Sequence, residues 1–197
     1  MTAPNYFFTS DTHFMHRNVI KYCNRPFADA DEMDEAMITR WNATVTPRDH
    51  VYHIGDVSLL KKHSENHDKL RHMLARLHGK KHIVWGNHDR GTKQTILSAG
   101  WHALGDMYEL NVPPESNNGV KQKIIMCHYA LLTWNESHYG SWSLYGHSHG
   151  TLPDNPKLLS CDVGVDCWNF TPVSMEQLND IMSKKTWAPI DHHNRKS

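Results

Sequence analysis

Five short apolar runs in this chain end in the same way, and that repetition limits the possible folds more than any other feature. Tyr6-Phe7-Phe8-Thr9 runs into Ser10-Asp11-Thr12-His13, and His50 to Ile54 runs into Gly55-Asp56. His82 to Trp85 leads to Gly86-Asn87-His88-Asp89, Lys121 to Met126 leads to Cys127-His128, and Ser143-Leu144-Tyr145 leads to Gly146-His147-Ser148-His149-Gly150. Aromatic and β-branched runs of this length, bounded by Gly, Ser and Asn, read as strands. Side chains two apart on an extended segment share a face, so the Asp-x-His and His-x-His spacings suit chelation. With 17 histidines in the chain, one such pair could arise by chance. Five in succession, each at a strand end, are hard to obtain from packing rules alone.

Helical patterns lie between the runs. Met33, Met37 and Trp41 recur at intervals of four behind Asp31, which is expected as an N-cap. Leu70, Met73, Leu74 and Leu77 share a face behind Ser64, with Gly79 placed to stop that helix. A short helix is expected over 92–99 and an irregular polar stretch up to Arg25-Pro26-Phe27. Met107 to Val112 and Lys121 to Met126 read as a hairpin, and Leu158 to Val165 as a last strand. Ser174 and Gln177 form a capping box for a C-terminal helix, with Val173 and Leu178 as its hydrophobic staple. Strands that alternate with helices and then give way to a hairpin predict an α/β sandwich with a mixed sheet. Side chains just past the carboxyl ends of such strands converge on one edge. One domain is expected over residues 1–197, with 186–197 as a loose polar tail.

Composition narrows the function. Lys+Arg and Asp+Glu are both 21, so no strong field draws in nucleic acid or an anionic membrane, and no basic stripe suits long duplexes. Cys23, Cys127, Cys161 and Cys167 form no C-x-x-C pair, which speaks against a zinc knuckle or a disulfide framework. The N-terminus has no basic region, and no run is long enough to span a membrane. A cytoplasmic protein is the expectation. Oligomeric state has no signature in the sequence.

The candidate ligands are Asp11, His13, Asp56, Asn87, His128, His147 and His149. Carboxylate, imidazole and amide oxygen without thiolate suit Mn²⁺, Fe or Zn²⁺ in an open site rather than a closed structural zinc. Seven side chains exceed one ion and fit two divalent metal ions if one carboxylate is shared. Asp56 is the natural bridge, being the lone ligand of its segment. Two divalent ions balanced by Asp11, Asp56 and a bridging hydroxide keep a positive surplus for a phosphoryl group. Two ions about 3.5–4 Å apart can clamp both oxygens of an in-line displacement. With Asn87 committed to metal, His88 is free to bind a phosphoryl oxygen and protonate the leaving group as general acid. Asp89 either orients that imidazole or caps the following turn. His16, Asn18 and Arg25 are candidate substrate contacts, Arg25 because its fork matches phosphate oxygens. His138, with Trp134, Tyr139 and Trp142, is a candidate for shaping a pocket, although surface or core packing is the simpler use of those rings.

Taken together, Asp11-x-His13, Gly55-Asp56, Gly86-Asn87-His88-Asp89, His128 and Gly146-His147-x-His149 resemble the calcineurin-like metallophosphoesterase superfamily, in that family's order over residues 6–150. The opening, Asp11 to His16 with Arg25-Pro26-Phe27, is similar to small single-domain phosphoesterases of bacteria and phages. The resemblance implies a four-layer sandwich of two mixed β-sheets flanked by helices, with a dimetal site at the strand ends. It implies one metal on Asp11, His13, Asp56 and His149, a second on Asp56, Asn87, His128 and His147, and His88 as the acid. One departure is visible: Gly55-Asp56-Val57-Ser58 lacks the further acidic residue that many members carry, which bears on the support around the site and on kinship with the protein phosphatases. The expected activity is metal-dependent hydrolysis of a small phosphate ester, nucleotide-type or other organic monoester or diester. A nuclease or nucleic-acid end-processing enzyme is the alternative, and a non-catalytic binding module a third class.

Overall fold

A computed structural model of the chain describes residues 3–188 and 190. The first sheet has the order β4-β3-β2-β1-β9. Its strands β1 (Tyr6–Thr9), β2 (His50–Ile54), β3 (Lys80–Val84) and β4 (His102–Gly105) run parallel. β9 (Val173–Ser174) pairs antiparallel with β1. The second sheet, β5-β6-β7-β8, opens with the expected antiparallel hairpin of β5 (Met107–Val112) and β6 (Gln122–Cys127). It continues parallel through β7 (Trp142–Tyr145) and β8 (Ser160–Asp162). Helices flank this pair of mixed sheets, which is the predicted α/β sandwich.

The helices arise as amphipathic stretches pressed on the sheets. In α2 (Ala30–Thr44), Met33, Met37 and Trp41 are buried as their spacing predicts. The cap is Asp29 rather than Asp31, because the Asp29 carboxylate is the one that reaches the Glu32 amide, at 2.9 Å. The next helix, α3 (His67–Ala75), starts two residues later than a Ser64 cap predicts. Ser64 spends its hydroxyl on the Asn66 amide two residues on, which makes a turn instead of a helix start. Leu70, Met73 and Leu74 still face inward. Together with α4 (Lys93–Ser98), these helices bury one face of the first sheet, around Phe7, Val51 and Ile83.

The opposite face meets the second sheet. Phe8, Ile54 and Val84 pack there against Ile124, Met126 and Leu144, joined by Leu178 and Met182 of α5 (Met175–Ser183). α5 carries the predicted capping box, with Ser174 Oγ accepting from the Gln177 amide and Gln177 accepting from the Ser174 amide.

Three elements were not expected. α1 (Arg17–Tyr22) replaces the irregular stretch, and β4 and β9 exist through pairing with β3 and β1. The last long strand is shorter than predicted and ends at Asp162. The tail does not come loose at 186, since the Thr186 and Ala188 amides donate to Pro156 and Lys157 carbonyls. Residues 191–197, predicted to be loose, lie outside the described residues. No described helix is long and apolar enough to cross a membrane. What this topology does for function is simple: the carboxyl ends of β1, β2, β3, β6 and β7 all open on one edge.

Candidate metal centre and cleft

The backbone bends sharply where each strand reaches that edge. Asp11, His13, Asp56, His147 and His149 all have left-handed φ values, between 48° and 65°. Such backbone costs about 1–3 kcal/mol per non-glycine residue and gathers at functional sites. The sharp turns bring the segments into close contact. A Cβ on Gly86 would lie 2.2 Å from Asp56 Oδ1, and one on Gly146 would lie 2.3 Å from Asp11 Oδ2. Only glycine allows those approaches.

Two ligand groups result. Asp11, His13 and His149 offer atoms within 4.8 Å of one another, and so do Asp56, His128 and His147. Asn87 joins the second group, its Oδ1 lying 3.0 Å from His128 Nε2. Asp56 stands between the groups, with Oδ2 3.8 Å from His13 Nε2 and 3.3 Å from His128 Nε2. Thus all seven candidate ligands meet at one place, and Asp56 occupies the position a shared carboxylate needs.

The donor set fits divalent cations. Asp11 Oδ1 and both ring nitrogens of His13 are buried without a hydrogen-bond partner, an arrangement that is costly unless something else satisfies those atoms. Burial pushes the Asp11 carboxyl up to about 7, against the pull of His128 and His149, and drives His13 well below its usual range. Burial would also raise Asp56, but its contact with His128 and the His88 amide hold it at about 2. Conversely, Asp56 lifts His128 to about 9 despite burial.

His88 lies apart from both groups. Its side chain is 39% exposed and 3.9 Å from Asp56, and it faces a cleft of ≈ 900 Å³ that His16 and Asn18 also line. Asp89 does not orient the His88 ring. It is fully buried, and its carboxylate accepts the amides of Gly86, Asp56 and Val57. It therefore ties the β2 loop to the β3 loop, which is neither of the two roles the sequence left open, since the turn that follows has no side-chain cap. Burial raises it to about 6 even so.

Arg25 is a correction to the expectation of a phosphate contact. It is 4% exposed, and its fork grips Asp166 through Nε and Nη2, each at 2.8 Å. Its remaining donors go to the carbonyls of Asp11 and Thr12 and to Met33 Sδ. Its work is to hold the strained Asp11-Thr12 backbone from beneath. The aromatic residues around His138 do not line the cleft either, and Trp142 is buried between the sheets.

Sequence reasoning missed the carboxylates under the site. Asp166 accepts from His149 Nδ1 at 2.7 Å, which leaves Nε2 as the ring nitrogen free for the group that His149 forms with Asp11 and His13. Asp162 accepts Ser148 Oγ and the Gly150 amide, which fixes the loop carrying His147 and His149. Asp34, on α2, accepts the Met15 amide with both oxygens, and burial raises it to about 7. The Asp162-Val163-Gly164-Val165-Asp166 run after a strand was the available signal for two of them.

A sandwich of two mixed sheets with an Asp/His cluster at the strand ends defines a metal-dependent class of phosphoesterase. The calcineurin-like phosphoesterase family model matches residues 5–178, and the chain belongs to that family. It is 33% identical to an uncharacterized protein of Methanocaldococcus jannaschii, over 93% of this chain and 94% of the other. It is 23% identical to the Gene 66 protein of Mycobacterium phage L5, over 91% and 94%. A protein of unknown function from Aquifex aeolicus shares the fold with a TM-score of 0.65 at 20% identity, covering 91% of this chain and all of that one.

Proposed function

We propose that the chain is a dinuclear metal-dependent hydrolase of phosphate esters. The observation that carries this reading is the convergence of two ligand groups on either side of Asp56. Asp11, His13, Asp56 and His149 would hold one ion, and Asp56, Asn87, His128 and His147 the other. Mn²⁺ is the favoured metal, because the set is oxygen and imidazole without thiolate. When bound, the ions supply charge for the phosphoryl oxygens and an activated water. Around them, Asp166 keeps His149 in one tautomer and Asp89 holds the β2 and β3 loops at a fixed distance. The His88 ring faces the cleft, and in this reading it holds a phosphoryl oxygen and delivers a proton to the leaving alkoxide. The four free cysteines fit a reducing compartment, which supports a cytoplasmic location.

The test measures bound metal and hydrolysis of phosphate esters in parallel. Asp56→Asn removes the carboxylate shared by both groups, so it is expected to lose metal and activity together. An Asp56→Asn protein that retains two ions would overturn the assignment.

A further inference from the structure

The cleft is lined by two chemically different sets of residues. One is built from the histidines around Asp56, including His13, His88 and His147. The other presents Tyr22, Leu59 and Leu152, which are 74%, 42% and 45% exposed. Exposed apolar side chains gathered beside a polar centre mark a binding surface. Tyr22 ends α1 and rests edge-on against His16, with ring centroids 6.4 Å apart at 71°. Exposed and part of the cleft's lining, the Tyr22 ring is within reach of a ligand bound there.

The lining also lacks one thing. Among the described residues, no lysine or arginine is part of it. Arg25, which lies beneath, has its donors committed to Asp166, two backbone carbonyls and Met33. A phosphate monoester is close to a dianion at neutral pH, and polyphosphates carry more charge. Such groups are usually met by the fixed charge of Arg or Lys. A diester carries a single charge and has a second substituent that needs a place to go. At ≈ 900 Å³ the cleft is far larger than a phosphoryl group requires.

We propose, building on the phosphoesterase reading, that the cleft selects a small phosphodiester with an aromatic substituent stacked on Tyr22, and that it discriminates against monoesters. His88 and the metal ligands treat the phosphoryl group, while Tyr22, Leu59 and Leu152 read what is attached to it.

The experiment uses the full chain with Mn²⁺. Hydrolysis of methyl p-nitrophenyl phosphate is compared with that of p-nitrophenyl phosphate, which share a leaving group and differ in charge. The diester is expected to win by at least about tenfold in kcat/KM. Calorimetry then compares methyl phenyl phosphate with dimethyl phosphate as ligands. The ring should improve affinity by about tenfold, the size of one stacking contact. Tyr22→Ala should erase that advantage and Tyr22→Phe should keep it. Equal or better turnover of the monoester would overturn the proposal and leave the phosphoesterase reading standing. So would an aromatic advantage that survives Tyr22→Ala, or preferred turnover of a single-stranded oligonucleotide. Hydrolysis of neither ester would sink both.

Discussion

His88 and Asn87 are neighbours in sequence but have different surroundings. The Asn87 amide oxygen meets His128 and Tyr129 at 3.0 and 3.3 Å, whereas the His88 ring leans edge-on against His13 and opens to the cleft. The backbone separates them as well, because the His88 amide donates to Asp56 Oδ1 at 2.8 Å. A His88→Ala variant keeps that amide, so it is expected to retain its metal. Its rate should fall by about 10²-fold on an alkyl ester, the lower end of what general acid catalysis contributes. On a p-nitrophenyl ester, whose leaving group needs no proton, the loss should be several-fold only. Equal losses on both esters would show that His88 binds without protonating. The comparison also separates general acid from metal ligand, because a ligand's removal would lower metal content.

The loops after the strands are elements in their own right, and those after β1, β2, β3 and β7 rest on buried or half-buried carboxylates. Asp89 ties two of them, Asp162 braces the His147-Ser148-His149 loop, and Asp34 holds Met15 from α2. Asp166 is bound by Arg25 on one side and His149 on the other. Replacing it by Asn keeps the shape but removes the charge that fixes the His149 tautomer and balances Arg25. Such partners of ligand histidines are worth about 10–100-fold in metal affinity. Asp166→Asn is therefore expected to weaken Mn²⁺ binding by that factor in a chelator competition and to lower Tm, since it leaves a buried guanidinium unpaired. Unchanged affinity would mean that His149 is not a ligand. These braces also explain what was legible beforehand. The candidate ligand segments could be read because residues able to chelate sit at strand ends, a local pattern. Asp166 and Arg25 are 141 residues apart, and nothing local announces their pairing. Arg25 looked like a phosphate contact for the same reason: its exposure depends on residues far along the chain. β9 has two residues and β4 four, too short for periodicity to show, and both are held by strands already in place.

At the scale of the whole molecule, the buried titrating groups couple stability, pH and metal. Burial raises Asp11 and Asp34 to about 7, above the ordinary 3.8. A raised carboxyl lends stability that is fully present below about pH 4 and is lost as pH rises through about 7. His53 and His82 are lowered by burial to about 3 and about 4, from 6.5. A lowered histidine contributes stability present above about 6.5 and lost as pH falls through its folded value. The two sets oppose each other between pH 4 and 6.5, and above that the carboxyls act together with His128, raised to about 9, whose contribution is lost in the same direction as pH rises. Protein stripped of divalent ions should therefore lose stability between pH 6.5 and 8. A cation beside Asp11 favours its ionised form and removes that part of the loss. That cation must also displace a proton from His149, which Asp166 raises against burial, and the ion of the other group must displace one from His128, held at about 9. Both effects have one sign. The rise in Tm produced by Mn²⁺ over a chelator control should grow steadily from pH 6 to pH 8, as scanning calorimetry can measure. A rise that does not change with pH would place the bound ion away from this cluster, because binding there has to release protons.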